Sequence, residues 1–319
     1  MQIYFEEQRA LTLQVLSAKR REKFLREESV FPKQINDRLW ILGNEYFHIY
    51  LIRGSAGCAL YELGVSATAE VTLRQLADLR IRPDYLIVSH PHSDHITALE
   101  YLKEAFPDAK VMAGEGAREF ISHPKAAQSA IAEDEHVFAA MVSRGFDSPL
   151  KPVAEAPSLQ ECAVVRDGDE IDLGGLTVSV MAVHGHSPGN ILVHIPQTRT
   201  LLVSDSLGNH YPGDGFFPTF FTGYEDYLAA IDKIKAYKPR ELGIAHNGFF
   251  IHPREIDDII LKARKAAEEV RAYVTASNKS DDEIAEDLFR FFYAGALAVY
   301  SPANIKNCCR LLVKRVREA

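Results

Sequence analysis

The chain has 319 residues, 47% hydrophobic and 25% charged, which supplies enough apolar surface for one large domain or two small ones. A formal net charge of -8 argues against a partner that needs many neutralised phosphates, such as a long nucleic acid, without excluding a small anionic substrate. Four cysteines with no C-x-x-C spacing, no apolar leader and no long apolar run predict a soluble, unexported protein of the reducing cytoplasm, with no membrane partner.

Taken in chain order, residues 8–28 set Leu11, Leu13, Val15, Leu16 and Phe24 among basic and acidic neighbours, which suits a helix lying on a larger body. Residues 1–35 are read as an accessory helical segment. From "RLWILGNEYFHIYLIRGSAGCALYELG" onward, short β-rich runs broken by Gly and Asn predict consecutive antiparallel strands. A helix at 67–80, a strand at 84–89, a helix at 95–106 and a strand at 109–113 follow, and this alternation implies α/β layering. Residues 116–160 read as a helical excursion ending in a Pro-punctuated loop. Strand signals return in "DGDEIDLGGLTVSVMAVHGH", "NILVHIP" and "TLLVSD", with Gly174 and Gly175 supplying a tight turn. Helical spacing then fills 253–278, 281–298 and 302–317, where Pro253 and Pro302 suit helix starts and Ser280 with Glu283 forms a capping box. The expected organisation is an accessory segment at 1–35, a main domain at 36–252 and a C-terminal helical extension at 253–319.

"SHPHSDHITALEYL" concentrates His90, His92, Asp94 and His95 directly after an apolar strand. Residues at i and i+2 beyond a strand end can project to one side, so His90 and His92 can hold one metal, with Asp94 and His95 serving a second. Without such use, four polar side chains would crowd a sheet edge uncompensated. Downstream, His186 in "VHGHSPGN", Asp205 in "LLVSDSLG" and His246 in "ELGIAHNG" each follow an apolar strand, where loops of layered α/β proteins gather to form sites. Isolated histidines are usually packed or surface residues, which is the reading for His48, His123, His136, His194, His210 and His252.

In this order, H-x-H-x-D-H, G-H-S-P-G, a strand-final S-D and a strand-final His resemble the successive motifs of the metallo-β-lactamase superfamily over roughly residues 36–252. The resemblance implies an αββα four-layer sandwich with a binuclear centre between its sheets. It implies that His90, His92 and His186 bind a first divalent metal, that Asp94, His95 and His246 bind a second, and that Asp205 bridges them. The ligand set suits zinc, iron or manganese, zinc foremost. Asp205 stands where the commonest class B β-lactamases carry a cysteine, which speaks against antibiotic hydrolysis. His92 stands where flavo-diiron oxygen reductases carry an acidic residue, which speaks against redox chemistry. Asn190 and "AHNG" depart from the glyoxalase II motifs, although no ligand is lost. The helical excursion and the C-terminal helices are also similar in layout to quinolone-signal response proteins.

These resemblances imply a hydrolase in which a metal-bridging hydroxide attacks a small ester-like substrate, an acyl ester, thioester or lactone. Asp94 is the candidate catalytic residue, orienting the nucleophile and shuttling its proton. His184 is a candidate contact to a ligand or leaving group, against an exposed turn histidine. Tyr211, Phe216, Phe217, Phe220 and Phe221 form an aromatic run read as a substrate wall or lid, as packing for the added helices, or as a homodimer contact. A small-substrate phosphodiesterase and a partner-binding regulator with vestigial hydrolase activity are the alternatives.

Overall fold

A computed structural model describes residues 31–146, 148–211 and 215–319, and the helix expected over 8–28 lies outside them. Seven strands form the first sheet in sequence order: β1 (Lys33–Asn36), β2 (Leu39–Gly43), β3 (His48–Arg53), β4 (Cys58–Tyr61), β5 (Tyr85–Val88), β6 (Lys110–Gly114) and β7 (Ala163–Val165). β1 to β4 pair antiparallel and β4 to β7 parallel, the change of direction coming with the first crossover helix, α1 (Ser66–Leu79). The second sheet contains β8 (Glu170–Asp172), β9 (Thr177–Ala182), β10 (Ile191–Ile195), β11 (Thr200–Leu202), β14 (Glu241–Gly243) and β15 (Phe249–Phe250), in the order β15-β14-β11-β10-β9-β8. Between its two batches lies a hairpin, β12 (Asn209–Tyr211) with β13 (Gly215–Phe217).

Strand alternation sets the layers. Leu39, Ile41, Tyr50, Ile52, Ala59 and Tyr61 of the first sheet meet Val178, Val180, Ile191, Val193 and Leu202 of the second in one shared core. Their neighbours Trp40, Leu42, Ile49, Leu51, Cys58 and Leu60 turn outward onto Leu76 of α1, Leu99 and Leu102 of α3 (Leu99–Ala105) and Ile121 of α4 (Ala117–Ser122). On the far side, Leu192 and Leu201 pack with α6 (Tyr224–Tyr237), α7 (Pro253–Ala276), α8 (Asp281–Phe292) and α9 (Pro302–Glu318) through Tyr227, Ile231, Ile256, Ile260, Leu288 and Leu312. The result is helix, sheet, sheet, helix, with the C-terminal helices added to the fourth layer. Two buried phenols keep the inter-sheet core satisfied, Tyr50 donating to the Ile244 carbonyl at 2.7 Å and Tyr61 to that of Ile191 at 2.8 Å.

Two expectations are corrected. The helix expected over 95–106 is two pieces, α2 (Ser93–Ile96) and α3, because the His95 carbonyl accepts from the Leu63 amide and Thr97 Oγ1 donates to Asp134 Oδ1. The excursion at 116–160 holds two helices, α4 and α5 (Pro124–Ser143), with irregular chain after them, in keeping with the Pro-punctuated loop read from its second half. The helix expected over 281–298 stops at Phe292, since Gly295 takes a left-handed φ of 59° and a 3-10 turn, Gly295–Val299, follows. Pro253 and Pro302 do open α7 and α9, and Ser280 and Glu283 close a reciprocal capping box on α8. Among the described residues no helix is long and apolar enough to cross a membrane.

Candidate metal centre

Strand ends deliver the site. His90 and His92 follow β5, Asp94 and His95 lie on α2, His186 follows β9, Asp205 follows β11 and His246 follows β14. Local backbone is bent to suit them: Glu62, Ser204 and Asn247, each beside a site residue, are non-glycine residues at φ of 69°, 50° and 57°. Gly185, at φ 99°, precedes His186 where a Cβ would meet the Tyr227 amide nitrogen at 2.2 Å, so only glycine lets this turn close on α6.

The seven side chains converge in two groups, His90 with His92 and His186, and Asp94 with His95, Asp205 and His246, each group's ligand atoms lying within 4.8 Å of one another. Asp205 sits between them, its Oδ2 3.7 Å from His186 Nε2 and 3.4 Å from His95 Nε2, and its Oδ1 3.3 Å from His246 Nε2. His90, His95, His186 and His246 are at most 3% exposed, whereas the Asp94 side chain keeps 11% exposure and, with partly exposed His92, marks the open edge.

Partners on the far ring nitrogens fix the histidine tautomers. Carbonyls and carboxylates only accept, so the Nδ1–H groups must donate: His95 to Glu62 at 2.6 Å, His186 to the Thr219 carbonyl at 2.8 Å and His246 to the Tyr46 carbonyl at 2.7 Å. Ser89 gives its own hydrogen to Glu62 at 2.8 Å and so accepts from His90 Nδ1 at 3.1 Å. Four Nε2 lone pairs are thereby aimed inward. The centre fits a metal by that test: His95 Nε2, His246 Nε2 and Asp205 Oδ1 are buried polar atoms with no hydrogen-bond partner, a costly arrangement that a cation would relieve.

The electrostatics separate the groups. Burial, reinforced by neighbouring histidines, keeps His90 well below its ordinary range and takes His92 down to about 3, so both are neutral near pH 7. Burial also opposes charge on His246, but Asp205 and Asp94 outweigh it and raise that histidine to about 10, so a cation binding at its Nε2 displaces a proton held there by the two carboxylates. His95 is likewise raised against burial by Asp94, Glu62 and Asp205, while Asp94 and Asp205 are held well below the carboxylate range by His95 and His246.

The expected pocket residues divide. Phe216, Phe217 and Phe220 are buried core residues and not a wall: Phe217 packs its ring 5.1 Å from Phe292 of α8, and Phe220 lies 5.1 Å from Tyr224 of α6. Phe221 does border the cluster, with its ring 5.4 Å from His186 and 6.2 Å from His92. His184 is exposed and makes no hydrogen bond to the cluster, and the Tyr211 side chain lies outside the described residues. Asn190 donates to Ser206 Oγ at 2.9 Å. Sequence reasoning missed Glu62, Phe120, whose ring lies 5.8 Å from His92, and Tyr300, whose hydroxyl donates to Asp94 Oδ2 at 2.7 Å. Glu62 carried a signal as the lone acid closing the apolar run "CALYE"; Tyr300 carried none.

Comparisons with known proteins agree with this geometry. Residues 46–246 match the profile of the metallo-beta-lactamase superfamily. Glyoxylase B2 of Dictyostelium discoideum is 24% identical over 188 residues, which are 55% of this chain and 57% of that protein, so the chain spans little more than half of that relative. An acyl-coenzyme A thioesterase of Gallus gallus is 23% identical over 221 residues, 65% of this chain and 73% of that protein. The crystal structure of an archaeal metallo-beta-lactamase superfamily protein from Sulfolobus tokodaii superposes with a TM-score of 0.58 at 19% identity, covering 88% of this chain and 99% of that one. The order of motifs, the double sheet and the paired ligand groups thus have one explanation: the chain belongs to the metallo-beta-lactamase superfamily.

Proposed function

We propose that the protein is a metal-dependent hydrolase of a small acyl ester, thioester or lactone, with His90, His92 and His186 holding one cation, Asp94, His95 and His246 a second, and Asp205 between them. The observation that carries this reading is the inward aim of four Nε2 lone pairs, each fixed by an acceptor or hydroxyl behind the ring. When bound, two cations supply Lewis acidity and lower the pKa of water toward neutrality. Zinc suits this donor set best, with iron and manganese as alternatives.

The chain's own residues do the rest. Asp94, at the open edge, accepts a hydrogen bond from the attacking water, orients it and takes its proton. Phe120 and Phe221, whose rings flank His92, offer an apolar surface to the acyl part of a substrate. The names of the thioesterase and glyoxylase relatives favour acyl chemistry over phosphodiester cleavage. Initial rates of metal-loaded protein on aryl acyl esters and thioesters, set against aryl phosphodiesters, test the reading. Acyl turnover that disappears on chelation and falls about 100-fold or more in Asp94→Asn is expected. Turnover confined to phosphodiesters, or acyl turnover indifferent to chelation, would refute it.

A further inference from the structure

The C-terminal extension reaches the centre through Tyr300. Tyr300 directly follows the 3-10 turn, is 6% exposed, and packs its ring edge-on against Phe47 and His246, with centroids 6.3 Å away in each case. Its hydroxyl donates to Asp94 Oδ2 at 2.7 Å, across 206 residues of sequence. That oxygen also lies 3.3 Å from His95 Nε2 and 3.4 Å from His246 Nε2. A carboxylate oxygen offers two lone pairs, so one can face the cluster while the other receives the phenol.

The segment carrying Tyr300 is clasped to α5. Ser301 donates from its amide and its hydroxyl to Glu133 at 2.8 and 2.5 Å, and Arg144, the residue that ends α5, donates to the Ala298 carbonyl at 3.0 Å. Tyr293 closes the turn on itself by donating to the Tyr300 carbonyl at 3.0 Å. Asp134, next to Glu133, accepts from Thr97 Oγ1 at 2.5 Å and from the Ser66 hydroxyl at 2.6 Å. Helix α5 therefore spans from the C-terminal end of α2, which carries His95, to the segment that carries Tyr300. His90, His95, His186 and His246 are oriented by residues on the strand ends and loops around them, whereas among the described residues Tyr300 is the one donor outside the cluster that reaches Asp94.

The geometry points to Tyr300 as a positioning residue of the metal centre: its hydroxyl holds the Asp94 carboxylate in its ligating orientation, so the second cation site is completed by the docked C-terminal extension. This rests on the two-metal reading above. Without the hydroxyl, Asp94 at the open edge rotates freely and the second cation is held less well.

Tyr300→Phe keeps the ring and removes only the donor. Binding of Zn(II) and, separately, Mn(II) is followed by competition with a chromophoric chelator, alongside steady-state rates on an acyl substrate. The second equivalent should weaken about 10- to 100-fold with the first little changed, and kcat should fall with KM held. In an Asp94→Ala background, Tyr300→Phe should weaken binding no further, because the hydroxyl then has no carboxylate to hold. Tyr101→Phe, which removes an exposed hydroxyl bonded to the Lys151 carbonyl, should leave both equivalents as in the wild type. Wild-type affinity for both equivalents in Tyr300→Phe, or an undiminished effect in the Asp94→Ala background, overturns the inference alone. Wild-type protein that takes up no second cation overturns the reading of the centre, and the inference with it.

Discussion

Glu62→Gln keeps the shape of a buried side chain and removes its charge. Glu62 is 1% exposed, and its Oε2 accepts from His95 Nδ1 at 2.6 Å and from Ser89 Oγ at 2.8 Å, Ser89 in turn accepting from His90 Nδ1 at 3.1 Å. One carboxylate thus orients a histidine of each group, His95 directly and His90 through a hydroxyl. A hydrogen bond to a charged group contributes about 1.5 to 3 kcal/mol, roughly twice a neutral one. Losing half of that strength on His95, together with some loss of ring alignment, corresponds to about 10- to 100-fold in metal affinity, or about 1.4 to 2.7 kcal/mol. Chelator competition with Zn(II) at fixed pH reads both equivalents. The equivalent served by His95 should weaken by that amount and the one served by His90 by less, since Ser89 can still accept from His90. Both constants within twofold of wild type would refute the view that this second layer orients the ligands.

Asp134 is fully buried and accepts from the Ser66 amide and hydroxyl, from Thr97 and from the Val153 amide. Asp134→Ala should destabilise the fold by about 2 to 4 kcal/mol in urea unfolding, because several buried donors lose their partner; a loss under about 0.5 kcal/mol would contradict that. Phe221→Ala should raise KM for aryl acyl substrates several-fold with kcat nearly unchanged, and an unchanged KM would remove Phe221 from the substrate surface. His48 gives a pH signature. Burial first, then the neighbouring charge of His246, lower it to about 3, so its contribution is present above the unfolded value near 6.5 and lost as pH falls toward 3. Between pH 7 and pH 4, metal-free wild type should lose about 3 kcal/mol more stability than His48→Leu. Parallel losses in the two proteins would show that His48 is not held neutral by the fold.

The layers were legible wherever the strand pattern alternates on two buried faces. In β2 to β4 the residues Leu39 to Leu42, Ile49 to Ile52 and Cys58 to Tyr61 each have an apolar destination, inter-sheet core or helical layer, and the sequence shows apolar runs there bounded by Gly and Asn. The residues of the cluster were legible because they fall in short motifs directly after strands. What escaped depends on contacts distant in sequence. The break between α2 and α3 comes from the Leu63 amide and Asp134, neither of them encoded in "HITALEYL". Phe216, Phe217 and Phe220 look like Phe221 in composition, yet only Phe221 emerges at the centre, because the other three are buried in the core that α6 to α9 share with the second sheet. Gly295, a stop signal that the helix expected over 281–298 ran through, lies just past the end of α8, and nothing local to "AVYSP" says that the tyrosine meets Asp94.

The central claim is that seven side chains form one two-cation centre divided by Asp205. Anomalous diffraction from crystals grown with Zn(II), collected at and below the zinc absorption edge, tests it most directly. The account predicts two anomalous peaks per chain on either side of the Asp205 carboxylate, one against His90, His92 and His186 and the other against Asp94, His95 and His246. A single peak, or none within this cluster at saturating zinc, would contradict it.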